Sequence, residues 1–428
     1  MQGSHRREDW ARRLLWLGAI APFIYSAARS ADEVTSNGLS PLDLFRGLAP
    51  IACVVLARAF ARPLRHGNGL AEASLISFCL IAGLSSVWSD SFTATAFKAI
   101  QMTGAALAVL YLVRYYPSSD RAVQGLATAC HGLLIATGIQ WAFFPANVYV
   151  SEEIGLAPRL GSSIPQVSAN PLAFVAVAGL AGLLLRVGPR LITNSTLVTI
   201  SLGGLYVAEL IGTRTRSGIA VGILMVAVAF FSLANRRAAL VLNTVLAILI
   251  TLVWLGPRYS DSVRTYLTRG QDRQALSTLT GRTNIWGRAI DAWQDDKLLG
   301  LGYFYGHRAS IPGLPPTQSN LDSTWIEALV DVGVVGAAAL ALFFASGFVR
   351  LLRGDMERDA KLWSVLVGLY GLAISFVNPT IQAPGGAMVL LAFVLLANGA
   401  GRRIDWPLER GPRVVASGDA RAPVPGSS

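Results

Sequence analysis

The sequence predicts an all-α fold, a polytopic membrane helix bundle of about twelve transmembrane helices with a large loop between the ninth and tenth. Three observations predict it. The 428-residue chain is 53% hydrophobic and only 14% charged, where a soluble domain carries about a quarter charged residues. Apolar runs of membrane-spanning length recur along it. Arginines gather in the short segments between alternate runs, as the cytoplasmic bias of basic residues requires. That placement also accounts for the formal charge of +11, so no nucleic-acid partner is needed to explain it.

Taking about 20 apolar residues per span, the helices centre on 14–28, 43–60, 70–88, 96–113, 123–143, 171–186, 192–211, 217–234, 238–256, 324–348, 361–377 and 384–399. The first has charges before it and no small-residue cleavage site behind it, so it reads as a retained helix rather than a signal peptide. Gly179/Gly182 and Gly203/Gly204 predict close helix packing. Cys53, Cys79 and Cys130 lie inside apolar runs without metal-ligand spacing and read as small buried hydrophobes. One membrane domain over 1–402 is expected, with the loop 257–323 inserted in it. The Pro-, Gly- and Ser-containing tail at 403–428 is expected to be disordered.

Orientation follows from the basic residues. Arg6, Arg7, Arg12 and Arg13 precede the first span. Arg58, Arg62 and Arg65, then Arg114 and Arg121, Arg186 and Arg190, Arg236 and Arg237, and Arg350, Arg353, Arg358 and Lys361 fill the even-numbered loops. Arg402, Arg403, Arg410, Arg413 and Arg421 follow the last span. Both termini are therefore expected in the cytoplasm and the long loop outside it. The outer segments still carry Arg159, Arg214, Arg216, Arg258, Arg264, Arg269, Arg273, Arg282, Arg288 and Arg308, which the charge rule does not ask for. With Asp261, Asp272, Asp291 and Asp295 nearby, one reading is a salt-bridged outer domain. The other is a cationic vestibule that holds an anionic, membrane-borne substrate.

Four stretches can carry chemistry. Glu209-Leu-Ile-Gly-Thr-Arg-Thr-Arg-Ser-Gly turns sharply between two spans and places Arg214 and Arg216 at the outer rim. These arginines are either a diphosphate clamp or an interfacial anchor paired with Glu209. Arg282 opens an amphipathic helix whose apolar face is Ile285, Trp286, Ala289, Ile290 and Trp293, set on the membrane surface or on the bundle. Gly300-Leu-Gly-Tyr-Phe-Tyr-Gly306 is a glycine and aromatic loop, read as a sugar-stacking wall; no Walker or dinucleotide fingerprint occurs. At the re-entry, Thr324-Trp-Ile-Glu327 fits a capping box. Asp331 lies one turn deeper, where an ionisable side chain is a functional candidate. Asp322, just before the cap, is a candidate general base or a helix-entry residue.

Gly-Arg282-Thr-x-x-Trp286, then Gly-x-Gly, then a polar pair opening a helix with Asp331-Val-Gly333-Val-Val-Gly336, resembles the O-antigen ligase and polysaccharide polymerase superfamily. Thr215-Arg216-Ser217, Arg159-x-Gly161 and Asn170-Pro171 add to the resemblance. It implies a metal-independent, cofactor-free glycosyltransferase of the bacterial inner membrane. The donor would be an undecaprenyl-diphosphate-linked oligosaccharide, and the acceptor a glycan or lipid A-core. Membrane lipid and a chain-length regulator are the further expected partners, and nucleic acid is not one. By the same resemblance Arg216 and Arg282 hold the diphosphate, with Arg214, Arg159, Asn170 and His307 as further substrate contacts and Glu327, Asp331 and Glu209 in support. The family's catalytic histidine aligns with Asp322, so Asp322 is the expected base, and the departure favours an exopolysaccharide or O-antigen polymerase over a ligase. A flippase is the alternative from another class, but the intramembrane charges cluster at one end and no inverted repeat is visible. A catalytically silent relative is the third.

Overall fold

The structure is a computed structural model that describes residues 2–23, 41–65, 69–150, 158–193, 195–233, 282–311, 321–378 and 386–397. The expected span at 238–256, the loop portions 257–281 and 312–320 with Arg258, Arg264, Arg269 and Arg273, and the tail at 403–428 lie outside the described residues.

The long helices in chain order are α1 (Gln2–Ile20), α2 (Pro41–Phe60), α3 (Leu70–Leu84), α4 (Phe92–Arg114), α5 (Ser119–Phe143), α6 (Ala169–Leu184), α7 (Thr196–Gly212) and α8 (Arg216–Leu233). They continue with α9 (Arg282–Trp293), α10 (Thr324–Arg353), α11 (Arg358–Ser375) and α12 (Gly386–Ala397). The stretches Leu70–Val87, Phe92–Arg114, Ser119–Phe143 and Thr324–Arg353 are long and apolar enough to cross a membrane; Ala169–Leu184, Thr196–Gly212 and Ala387–Ala397 are shorter apolar helices. The chain is an all-α membrane bundle, and among the described residues two short antiparallel strand pairs interrupt it. These are β1 (Tyr149–Val150) with β2 (Arg159–Leu160), and β3 (Ser162–Ser163) with β4 (Gln166–Val167).

Serine side chains start several of these helices. Ser91, Ser118, Ser195 and Ser323 each accept a hydrogen bond from a backbone N–H of the first turn, satisfying a donor the helix itself leaves open. The first helix begins well before the expected Leu14. Its polar opening is laced by an Arg12–Asp9 ion pair and by Arg13 over the Trp10 ring, and the helix tightens into a 3₁₀ turn at Ala21–Phe23, around Pro22.

One apolar core runs through the bundle. Helix α10 packs along α3, α1 and α2 pack with each other and with α4, and α6 sits among α5, α7, α8 and α11. Gly179 and Gly182 do mediate close packing: a Cβ at Gly179 would meet Leu134 at 2.5 Å, and one at Gly182 would meet the His131 ring at 3.3 Å. Around Gly203 and Gly204, among the described residues, only Leu183 at 3.9 Å comes near the first and nothing lies within 4 Å of the second. Large apolar side chains such as Val55, Leu80, Val87, Phe143 and Leu197 are exposed, as a lipid-facing belt requires.

Helix α10 is broken inside its apolar length. Gly333 adopts φ 67° and ψ −173°, and a Cβ there would lie 2.1 Å from the Leu298 carbonyl. A break frees backbone groups that a low-dielectric interior penalises by several kcal/mol each, roughly. The segment 297–302 takes them up: Leu301 N donates to Val330 O (2.9 Å), Gly302 N to Asp331 O (2.9 Å) and Val334 N to Lys297 O (3.0 Å). Gly300, at φ 70°, allows this approach, since a Cβ would come within 2.5 Å of Gly333 N. On its other side the segment is held by Trp88 Nε1 donating to Gly300 O (3.0 Å) and by Tyr303 N donating to Ser85 Oγ (2.8 Å). The glycine and aromatic loop is thus wedged between the α3–α4 turn and the break in α10.

Candidate functional site

At the end of the bundle where α10 begins, six chain segments meet in one hydrogen-bonded network. Strand β2 contributes Arg159, buried at 7% exposure. The strand is aligned by pairing with Val150 and by Leu160 packing against Gly212. The Arg159 guanidinium donates to Thr213 O (2.9 Å), to Thr215 Oγ1 (2.8 Å) and to Asn170 Oδ1. Asn170, in the first turn of α6, passes the network on by donating to Asn378 Oδ1 (2.7 Å). Thr324, the first residue of α10, donates to the Asn378 carbonyl (3.0 Å). Trp325 Nε1 donates to Ser375 Oγ (2.9 Å), fixing the head of α10 against the end of α11.

Arg282 is the hinge of the arrangement. Its Nε donates to Asp322 Oδ2 at 3.1 Å, and its NH1 donates to the Val377 carbonyl at 2.9 Å. Both side chains of the ion pair keep solvent access, 23% for Arg282 and 30% for Asp322. Asp322 has a left-handed backbone, φ 55°, a conformation aspartate and asparagine tolerate better than other side chains. Arg216, at the start of α8, lies near enough to Arg282 for the two guanidiniums to repel. A cation pair held together by the fold, with a carboxylate and several hydroxyl groups beside it, is an anion-binding arrangement. Arg214 occupies the turn before α8 with φ 51° and is half-buried.

The remaining sequence candidates behave differently. Glu327 does reach back over the helix start, but the capping residue is Ser323, not Thr324: Ser323 Oγ accepts from Ile326 N, and Glu327 Oε1 accepts from Leu321 N at 2.7 Å. Asp331 is 2% exposed and serves as the anchor of the 300–308 loop. Its carboxylate accepts from Phe304 N (2.9 Å), His307 N (3.0 Å) and His307 Nδ1 (2.8 Å). His307 is therefore enclosed at 1% exposure rather than presented as a substrate contact. Tyr303, 2% exposed, is packed edge-on to Phe78 and is not available as a sugar-stacking face. Arg308 stacks over the Phe304 ring, 3.5 Å from its centroid. Burial lowers the Arg308 pKa from its ordinary value, with the charges of Glu327 and Asp331 opposing.

Glu209 is fully buried, and neither of its carboxylate oxygens has a hydrogen-bond partner among the described residues. The interfacial-anchor alternative, in which Arg214 or Arg216 pairs with Glu209, therefore does not form. Helix α9 settles on the bundle: Ile285 and Ala289 join Ile311, Leu321 and Val330 in a second apolar cluster with Trp286, Trp293 and Ile326 against it, and Trp286 Nε1 donates to Leu321 O at 2.6 Å.

Of the sequence candidates, Arg159, Asn170, Arg282 and Asp322 thus lie in one hydrogen-bonded region with Arg216 near Arg282, joined by Asn378 and the Val377 carbonyl, which were not among them. The signal for Asn378 was present as Ser375-Phe-Val-Asn378-Pro, a polar stop at the end of an apolar span. It lacks charge and family spacing, so it drew no attention.

Comparison with known proteins points at the same part of the chain. Residues 201–341 match the family model described as O-antigen ligase; this range contains the Arg214–Arg216 turn, Arg282, Asp322 and the broken α10. Among curated proteins, the exopolysaccharide production protein ExoQ of Rhizobium meliloti (strain 1021) is 29% identical over 125 residues, 25% of this chain and 26% of that protein. The matched part thus spans about a quarter of the length of this relative.

Proposed function

From an O-antigen ligase-type segment that contains Arg216, Arg282 and the head of α10, we propose that the protein transfers glycan repeat units from an undecaprenyl-diphosphate carrier to a glycan acceptor. The reaction takes place at the periplasmic face of the bacterial inner membrane, on a bundle of about twelve spans with cytoplasmic termini. The observation that carries the reading is the Arg282–Asp322 pair with Arg216 facing it, at the mouth of the Arg159–Asn170–Asn378 network.

The acceptor hydroxyl oxygen attacks the anomeric carbon of the donor sugar, and its proton passes to the Asp322 carboxylate. The bond from the anomeric carbon to the phosphate oxygen breaks, and the electron pair leaves with the diphosphate. Arg216 and Arg282 neutralise the charge that builds on that leaving group, so it departs with little need of acid help. In the resting arrangement Arg282 holds Asp322. An arriving diphosphate competes for the same guanidinium and frees the carboxylate to take a proton. Asn170, Asn378 and Thr324 position these groups, and Asp331, His307 and Glu327 hold the loop and helix head behind them.

Chain polymerisation is the preferred reaction. The printed name of the ExoQ relative concerns exopolysaccharide production, and Asp322 stands where the ligase pattern places histidine. The family description itself favours ligation to lipid A-core as the second reading. Deletion of the gene followed by electrophoresis of surface polysaccharide separates the two: shortened chains support polymerisation, and full-length chains detached from the lipid core support ligation.

A further inference from the structure

A second group of cations lies where the wedged loop meets α4 and the first turns of α2. It is built by three separate elements. Gly47 lets α2 approach α4 closely, since a Cβ there would come within 2.9 Å of the Phe97 ring; this sets Arg46 beside Lys98. The wedged loop adds Phe304, whose N–H is fixed by Asp331. Its ring has the Lys98 ammonium 4.6 Å from the centroid and the Arg308 guanidinium 3.5 Å from it. Arg46, Lys98 and Arg308 are all half-buried.

Among the described residues, the carboxylates that act on this group are Asp43, Glu327 and Asp331, and each is engaged elsewhere as well. Asp43 pairs with Arg46 at 3.8 Å. Arg308 feels Glu327 and Asp331, but Asp331 already receives three N–H donors of the loop and Glu327 receives Leu321 N. Lys98 has Gln101 Oε1 at 3.4 Å and the Phe97 and Phe304 rings, and its charged neighbours are Arg46, Arg308 and Asp43. Three cations brought together at partly dehydrated positions repel one another, and a bound phosphate offsets that repulsion. Beside them Phe45, Leu48 and Ile100 are exposed at 49%, 54% and 42%, an apolar skirt suited to a lipid chain.

We propose that Arg46, Lys98 and Arg308 form a second phosphate-binding site, and that it seats the diphosphate of a second polyprenyl-linked glycan, which serves as the acceptor. The inference rests on the transfer reaction proposed above and adds that both substrates are membrane-anchored and held at separate groups of cations. A donor diphosphate at Arg216 and Arg282 and an acceptor diphosphate at Lys98 leave the head of α10, with Asp322, between them. The acceptor's outermost sugar then reaches the base while its anchor stays in the membrane.

The test uses the full chain in lipid nanodiscs, with sugar-free polyprenyl diphosphate as probe, phosphatidylglycerol as competitor, and bound lipid counted by native mass spectrometry. Two diphosphates should bind the wild type, one should remain in Arg282→Ala, and one in the Arg46→Gln/Lys98→Gln double variant. Lys98→Arg should keep both and guards against a folding defect. In turnover with lipid-linked repeat units, Lys98→Gln should raise the acceptor KM roughly 10- to 100-fold and leave the donor KM unchanged. A single diphosphate in the wild type, lost in Arg282→Ala and indifferent to Lys98, overturns this inference and leaves the transfer reaction standing. Loss of phosphatidylglycerol alone in the double variant overturns it in favour of an ordinary phospholipid headgroup. No binding in the wild type overturns both.

Discussion

Replacing Arg282 by lysine keeps the charge and removes the fork. Arg282 uses Nε on Asp322 and NH1 on the Val377 carbonyl at the same time, and a lysine ammonium on a flexible stem satisfies one of them, not both. The lost contact is a hydrogen bond involving a charged group, about 1.5–3 kcal/mol. At about 1.36 kcal/mol per decade of rate, that is roughly a 10- to 150-fold fall in transfer. Arg282→Ala also removes the charge opposite the leaving group, and the fall should reach about 10³ or more. The assay is polymer formed per minute from lipid-linked repeat units by detergent-purified protein, with membrane accumulation and thermal unfolding measured in parallel. Wild-type rates in Arg282→Lys would refute the reasoning, because the residue would then supply charge and no geometry.

Asp322→Asn keeps the left-handed backbone acceptable and removes the proton acceptor, so transfer should fall by about 10²–10⁴ with little change in melting temperature; a nearly normal rate would reduce Asp322 to a helix-entry residue. Asp322→His should retain measurable transfer, since imidazole can accept the same proton, and a rate as low as that of Asp322→Asn would count against it. Asp331→Ala strips the acceptor from three N–H donors and should destabilise the protein by about 3–5 kcal/mol; an unchanged melting temperature contradicts the anchor role. Gly333→Ala should fail to accumulate or should melt early, because the Leu298 carbonyl occupies the space a Cβ needs; a stable variant would show that the break closes into regular helix. Reporter fusions after Asp272 and after Arg353 should be active only in the periplasm and only in the cytoplasm respectively, and the reverse pattern at either position would overturn the proposed topology.

Apolar periodicity made the helices legible, because length and hydropathy alone decide whether a segment can span a membrane. Their ends were less so: α1 starts in charged sequence that carries an Arg12–Asp9 ion pair, which a hydropathy window discards. Arg159, Asn170, Arg216 and Arg282 were legible as surplus cations and motif positions, whereas Asn378 is marked only as a polar stop after an apolar span, with nothing in the sequence that ties it to Asn170. The enclosure of His307 was invisible because it depends on a helix break at Gly333 and on a loop that inserts into it. The Gly-x-x-Gly spacing at Gly333 and Gly336 was on the page, but a glycine's backbone angle is not. Arg46 and Lys98 were absorbed into apolar spans as isolated charges, and only the close approach of α2 to α4 at Gly47 brings them together.

Glycan transfer from a lipid diphosphate by Arg216, Arg282 and Asp322 together is the proposal on which the other roles depend. Its most direct test reconstitutes the purified full chain in liposomes with radiolabelled undecaprenyl-diphosphate repeat units and counts the sugar found in longer chains and the carrier diphosphate released. One carrier should be released per glycosidic bond formed, with both signals lost together in Arg216→Ala and Arg282→Ala. Polymer formed at wild-type rates by either variant, or labelled lipid carried across the liposome membrane with no new glycosidic bond, would contradict it.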